Sequence, residues 1–255
     1  MEQEKILEAR AVWRVFEGTK TPVEVLKGLD LSVSAGEVVV VIGASGAGKS
    51  TLLHILGTLD APDKGSVHIR GVDPRNCSPR ELDLLRNRDL GFVFQFHYLL
   101  PEFNALENVL LPYRIFHGRL VPDVVARAKR LIERVGVGPH MLNRANDLSG
   151  GEQQRIAIAR SLINQPRLIL ADEPTGNLDH ESSEEVKSLL REINKESKTT
   201  FLIVTHDRHI AAGCDRIIEI DDGQVKNDFN ASEFGEDEKW QKLAPSTCRE
   251  KIRLA

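Results

Sequence analysis

Two glycine-rich turns, Gly43-Ala-Ser-Gly-Ala-Gly-Lys-Ser50 and Leu148-Ser-Gly-Gly-Glu-Gln153, each stand just before a stretch of helical pattern. Glycine lets backbone approach an anion closely, and a helix start aims unpaired N–H groups and a positive dipole end at it. Each turn can therefore grip a phosphate, so one chain carries two such grips. The first matches the pattern G-x-x-x-x-G-K-[ST]. In such a loop Gly43, Ala44, Ser45, Gly46, Ala47 and Gly48 bring backbone to the phosphates. Lys49 sets a point charge against the outer ones, and the Ser50 hydroxyl can bind Mg²⁺.

Further along, the apolar run Arg167-Leu-Ile-Leu-Ala-Asp-Glu-Pro174 closes on paired carboxylates. Asp172 is placed to hold Mg²⁺ through water, and Glu173 to take a proton from an attacking water. A third run, Thr200-Phe-Leu-Ile-Val-Thr205, ends in His206-Asp207, where an imidazole can hold a γ-phosphate and the attacking water in line. Singly, each residue has a plain structural reading, since acids often close strands and a lone histidine is usually structural. Together they put three strand ends into one crevice, the usual seat of chemistry on a parallel sheet.

The elements that must position these groups follow from hydrophobic pattern. Val38 to Ile42 is a continuous β-branched run suited to a strand buried on both faces, and Thr51-Leu-Leu-His-Ile-Leu-Gly57 reads as a helix stopped by glycine. Residues 3 to about 42 hold short alternating pieces, Glu24-Val-Leu-Lys-Gly and Leu29-Asp-Leu-Ser-Val-Ser among them, as a half-buried antiparallel sheet would. Ser78-Pro79-Arg-Glu81 is a capping box with proline at the first helical position, and it opens a helical lobe carried to about residue 147. Within that lobe Val124, Val125, Ala128, Leu131, Ile132 and Val135 keep one apolar face. A helix runs from Glu152 to about Ile163, and Ser182-x-x-Glu185 caps another with Val186, Leu189, Leu190 and Ile193 on one side.

Taken in order, Gly43 to Thr51, Gln95, Leu148-Ser-Gly-Gly-Glu-Gln-Gln-Arg155, Leu168 to Glu173, Gly176-Asn-Leu-Asp179 and His206 resemble the Walker A, Q-loop, signature, Walker B, D-loop and switch histidine of ABC-type ATPases. The resemblance covers residues from about 10 to 226. It implies an α/β fold, a P-loop core of ABC type with an N-terminal antiparallel β subdomain and an inserted α-helical subdomain at about 80–147. The ATPase domain is expected over 1–226 and a C-terminal extension over 227–255. The resemblance also implies ATP as substrate and Mg²⁺ held by Ser50, Gln95 and Asp172. Glu173, His206 and Lys49 would carry the catalysis, and Phe16 would stack on adenine where the family more often has Tyr. In this family the signature turn of one subunit closes on the γ-phosphate held by another. Leu148, Ser149, Gly150, Gly151, Glu152 and Gln153 would thus serve the nucleotide of a second copy, next to Asp179, in an ATP-bound homodimer.

Between Phe92 and Phe103 lie Phe92, Phe94, Phe96, Tyr98 and Phe103, with Leu99, Leu100 and Pro101. Such a cluster either fills the lobe or offers an apolar groove to a partner. By resemblance it is where integral membrane permease subunits dock, from Gln95 to Phe103. The wording of Gly91 to Asn108 and of Ala171 to Asp179 is most similar to the ATPases of the lipoprotein-releasing group, with macrolide-exporter and cell-division ATPases as relatives. That implies homodimers that pass force to membrane subunits, with a lipid-anchored protein as cargo.

Composition bounds the rest. At 255 residues the chain suffices for one such core with an inserted lobe, not two. A net charge of −4 is a poor footprint for a phosphate backbone, so no nucleic-acid partner is expected. No apolar run approaches the roughly 20 residues that cross a bilayer, and Met1-Glu-Gln-Glu-Lys-Ile lacks the marks of a signal peptide. These two features predict a chain that stays in the cytoplasm, and the resemblance implies a peripheral protein at the cytoplasmic face of the bacterial inner membrane, held there by membrane subunits. Cys77, Cys214 and Cys248 are too scattered for a metal cluster. The tail, with Glu233, Glu236, Asp237 and Glu238 before Trp240 and Arg249, Lys251 and Arg253 near its end, reads as a solvated, partly helical appendage or as a regulatory or dimer contact.

Overall fold

Hydrophobic pattern sorts the strands into two kinds of sheet in the computed structural model, which describes residues 4–17, 21–206 and 214–231. Strands β1 (Lys5–Phe16) and β2 (Val23–Ser34) mix buried and exposed positions and pair antiparallel, as a sheet solvated on one face does. The two pieces expected in β2 are one strand, which passes through Gly28 at φ +71°. Strand β3 (Val38–Ile42) is buried at every residue. Helix α1 (Lys49–Leu56) follows, closed at Gly57 as expected.

Strand β4 (Lys64–Ile69) then returns to pair with β1, giving the order β2-β1-β4. The sequence reading placed this sheet wholly before residue 42 and missed its third strand, whose signal is two buried residues, Val67 and Ile69, beside a glycine. Gly65 is required by contact, because a Cβ there would stand 2.1 Å from the Ala11 carbonyl oxygen.

The remaining elements are α2 (Pro79–Asp89), β5 (Leu90–Val93), α3 (Ala105–His117), α4 (Pro122–Arg134), α5 (Gly150–Leu162), β6 (Leu168–Asp172), α6 (His180–Ser197), β7 (Thr200–Val204), β8 (Arg216–Asp221) and β9 (Gln224–Asn230). They complete a sheet of order β5-β6-β7-β3-β8-β9, parallel except for β9. Its alternation splits the core in two. Val38, Val40 and Ile42 pack with α3, α4, α5 and α6, while Val39 and Val41 pack with α1 and the antiparallel sheet.

That split corrects the start of the helical lobe. The Ser78 capping box is present, yet α2 puts Leu85 on the α1 side and runs straight into β5, which pairs with β6 in the central sheet. The inserted helices are α3 and α4, after residue 93. A second correction concerns α6: its cap is Asp179, whose carboxylate accepts from the Ser182 N–H at 3.0 Å, and not Ser182. At the C-terminal end the central sheet continues through Asn230, past the boundary drawn at 226; the rest of the expected extension, with Trp240 and Cys248, lies outside the described residues, as does Asp207.

Candidate ATP site

Residues 43–48 form the turn between β3 and α1, and neighbouring strands dictate its glycines. A Cβ on Gly43 would lie 2.3 Å from the Ile220 carbonyl oxygen, and one on Gly48, at φ +95°, 2.7 Å from that of Val25. Ala44, Ser45 and Gly46 face solvent. Helix α1 opens on Gly48 with no side-chain cap and no acid in its first turn. Its N-terminus thus keeps its anion-binding capacity.

Lys49 is buried, and its ammonium donates to the carbonyls of Gly43 and Ala44, both at 2.9 Å. Burial pushes its pKa down, against the pull of Glu173 and Asp172. Next to it, the Ser50 hydroxyl donates to Asp172 Oδ1 at 3.3 Å, which bridges α1 to the end of β6. Burial raises the Asp172 carboxyl above its ordinary range despite that bond. A hydroxyl and a carboxylate so juxtaposed are the hard oxygen donors that Mg²⁺ selects, so the donor set fits that ion.

Glu173 adopts φ +45° just past β6, its N–H bonded to the Val204 carbonyl at 2.8 Å. Its carboxylate accepts from the Thr205 hydroxyl at 2.9 Å and from the His206 N–H at 3.0 Å, and His206 Nδ1 lies 2.7 Å from Oε1. The ends of two adjacent parallel strands thereby bring an acid and an imidazole together. Gln95, just past β5, joins through Asn177: Gln95 Nε2 donates to Asn177 Oδ1, and Asn177 Nδ2 to the Gln95 carbonyl, each at 3.2 Å. Thr205 and Asn177 stand inside motifs the sequence singled out, but sequence reasoning gave neither a role of its own.

A family profile described as "ABC transporter" matches residues 26–176. The chain belongs to the ABC transporter ATP-binding family. Among its curated relatives are lipoprotein-releasing system ATP-binding proteins LolD of Alcanivorax borkumensis, 48% identical over 221 residues, which span 87% of this chain and 96% of the relative. That of Pseudomonas syringae pv. tomato is 48% identical over 226 residues, 88% of this chain and 99% of the relative. Of solved structures, the dimeric post-hydrolysis state of the ATP-binding cassette MJ0796 bound to ADP and Pi superposes with a TM-score of 0.82. It is 36% identical and covers 90% of this chain and 100% of that one. The chain is an ABC ATPase, with ATP as substrate and Mg²⁺ as cofactor.

Among the described residues no hydrogen bond joins the second glycine turn, residues 148–153, to residues 43–50. Ser149 caps α5 in a reciprocal box with Glu152, its N–H donating to Glu152 Oε2 at 2.8 Å. His140 Nδ1 pairs with the other oxygen of Glu152. Burial raises the Glu152 carboxyl, but its bonds to Ser149 and His140 outweigh that and hold it low. Leu148 is buried, Ser149 and Gly150 are exposed, and Gly151 is buried against Ser182, whose hydroxyl donates to Asp179 Oδ2 at 2.9 Å. Gln153 returns its amide to the Leu148 carbonyl at 2.9 Å.

Phe16 ends β1 with 42% of its surface exposed, and the Arg14 guanidinium lies 4.8 Å from its ring centroid. The aromatic stretch divides between core and surface. Leu99 packs on the core, whereas Phe96 and Tyr98 are 62% and 65% exposed. Phe92 and Phe94 stack at 5.7 Å, and Tyr98 meets Phe94 edge-on. They line a groove of about 1000 Å³ whose other wall is Pro112, Ile115 and Arg160. No helix among the described residues is long and apolar enough to cross a membrane.

Proposed function

We propose that this chain is the ATP-hydrolysing subunit of a bacterial ABC system that releases lipoproteins from the inner membrane. It would work as an ATP-bound homodimer at the cytoplasmic face, beneath integral membrane subunits. The carboxylate of Glu173, gripped by Thr205 and His206 one residue from Asp172, carries the hydrolytic part of this reading. Relatives named for lipoprotein release, aligned with this chain along nearly their whole length, support the cargo.

In this reading the amides of residues 43–48, with Thr51 behind them, cradle the phosphates, and Lys49 turns its ammonium from two carbonyls to the outer phosphate oxygens. Ser50, Asp172 and Gln95 would hold Mg²⁺, whose charge would offset that of those oxygens. Glu173 accepts the proton of the attacking water, and His206 orients the γ-phosphate. Phe16 stacks on adenine through the face that Arg14 leaves open. Ser149 and Gly150, exposed at an α5 N-terminus, serve the nucleotide of a second copy, beside Asp179. The segment Gln95 to Phe103, with the exposed Phe96 and with Tyr98 on the wall of the adjoining groove, receives the membrane subunits.

Phosphate release with ATP and Mg²⁺ tests this reading together with Glu173→Gln, which is expected to bind ATP and accumulate as a closed dimer in size-exclusion chromatography. Turnover of that variant at the parental rate would overturn the assignment of the base. Purification in detergent is expected to recover a four-helix membrane subunit with a large periplasmic domain. Recovery of ribosomes or DNA instead would overturn the pathway.

A further inference from the structure

The signature helix reaches both the Q-loop and the strand end that bears the base through one side chain. Gln154 is 1% exposed, and its Nε2 donates to the Pro174 carbonyl at 2.7 Å and to the Phe94 carbonyl at 3.4 Å. Pro174 directly follows Glu173, and Phe94 directly precedes Gln95. The same two segments are also laced to each other by the reciprocal bonds of Gln95 and Asn177.

Packing alone does not account for a glutamine here. Among the described residues its Oε1 has no hydrogen-bond partner. A buried amide with an unmatched oxygen costs more than an apolar side chain of the same length. What the amide adds is its two donated bonds, each one residue from a group assigned to the chemistry. Gln154 lies five positions after Ser149 on α5, so any shift of the helix N-terminus is felt at both carbonyls.

We propose that Gln154 is a positioning residue that holds Gln95 and Glu173 in register with the signature turn. This rests on the roles given to Gln95 and Glu173 above. A nucleotide engaged at Ser149 by a second copy fixes the start of α5. Gln154 passes that placement to the Mg²⁺ ligand and the base of its own chain. Completion of one site thereby sets the geometry of the other.

The variant Gln154→Met keeps the length of the side chain and removes both the donor and the unmatched oxygen. Its melting temperature is expected to equal or exceed the parental one. The KM for ATP should stay within about twofold, kcat should fall about tenfold, and half-saturating Mg²⁺ should rise several-fold, as when a ligand loses its orienting partner. Parental kcat and Mg²⁺ dependence would overturn the proposal, and so would a large fall in melting temperature, which marks a packing residue. Glu173→Gln is run in the same assay. If it hydrolyses ATP at the parental rate, the assignment of the base fails, and the Mg²⁺ titration of Gln154→Met still judges this proposal.

Discussion

The Thr205 hydroxyl donates to Glu173 Oε2 at 2.9 Å, so the strand that delivers His206 also orients the carboxylate facing it. A carboxylate whose two oxygens are both engaged keeps little rotational freedom, which is what a base needs if it is to meet one water repeatedly.

Thr205→Val retains shape and removes that bond. Loss of one hydrogen bond of about 1 kcal/mol predicts a roughly fivefold fall in kcat with little change in KM. Glu173→Gln, which removes the base itself, should lower kcat by about 100-fold or more. Steady-state phosphate release on both variants checks the order.

The two signature glycines should separate fold from assembly. A Cβ on Gly150 meets nothing within 4 Å, whereas one on Gly151 would lie 2.7 Å from the Ser182 hydroxyl oxygen. Gly150→Ala should therefore leave monomer stability within about 0.5 kcal/mol and weaken ATP-driven dimerisation. Gly151→Ala should cost about 1–3 kcal/mol in urea unfolding of the nucleotide-free protein, because α5 and α6 must part to admit the methyl group.

Lys49 and Asp172 make opposite pH predictions. Burial sets the Lys49 pKa below its ordinary 10.5, so the unfolded chain holds that proton more tightly and this group's contribution to stability grows as pH rises toward 10.5. Burial sets that of Asp172 above 3.8, so the folded chain holds its proton more tightly and stability falls as pH rises through the raised pKa. The melting temperature of Asp172→Asn relative to the parent should accordingly climb as pH rises from the ordinary aspartate value of 3.8 through the raised one, while stabilisation by ATP with Mg²⁺ is lost. Differential scanning calorimetry across that range checks both halves. Lys49→Met should melt no lower than the parent without nucleotide and show no thermal shift with it.

Phe96 is 62% exposed beside the groove, so Phe96→Ser should change stability by no more than about 0.5 kcal/mol. If this surface seats a membrane subunit, detergent co-purification should fall sharply. Retention of the partner would show that docking occurs elsewhere.

Most of the site could be read before any coordinates because its groups lie within a few residues of glycine turns and strand ends, where local pattern is strong. Val38–Ile42, Leu168–Asp172 and Thr200–Val204 are short apolar runs that fit only strands buried on both faces. What escaped depends on contacts between distant segments. Strand β4 carries only the weak signal of Val67 and Ile69 until it pairs with β1, and α2 looked like part of the helical lobe until β5 tied it to the central sheet. The cap of α6 was misread because Ser182 and Asp179 both suit that role, and the Asp179 carboxylate, held low by the Ser182 N–H and hydroxyl, takes it. Asn177 and Thr205 are silent in sequence because their partners, Gln95 and Glu173, are far away along the chain.

Strand β3 lies between β7 and β8, so the strand that leads into the phosphate loop has no ladder neighbour until residues 200–221 have been made. At about 5–20 residues per second, the nascent chain carries a finished Walker A sequence for many seconds before the central sheet can close around it. Such long-range pairing slows folding and leaves Val38–Ile42 uncovered meanwhile. Nucleotide competence therefore waits on the strands made from residues 200–221, well over a hundred positions after the loop that they brace.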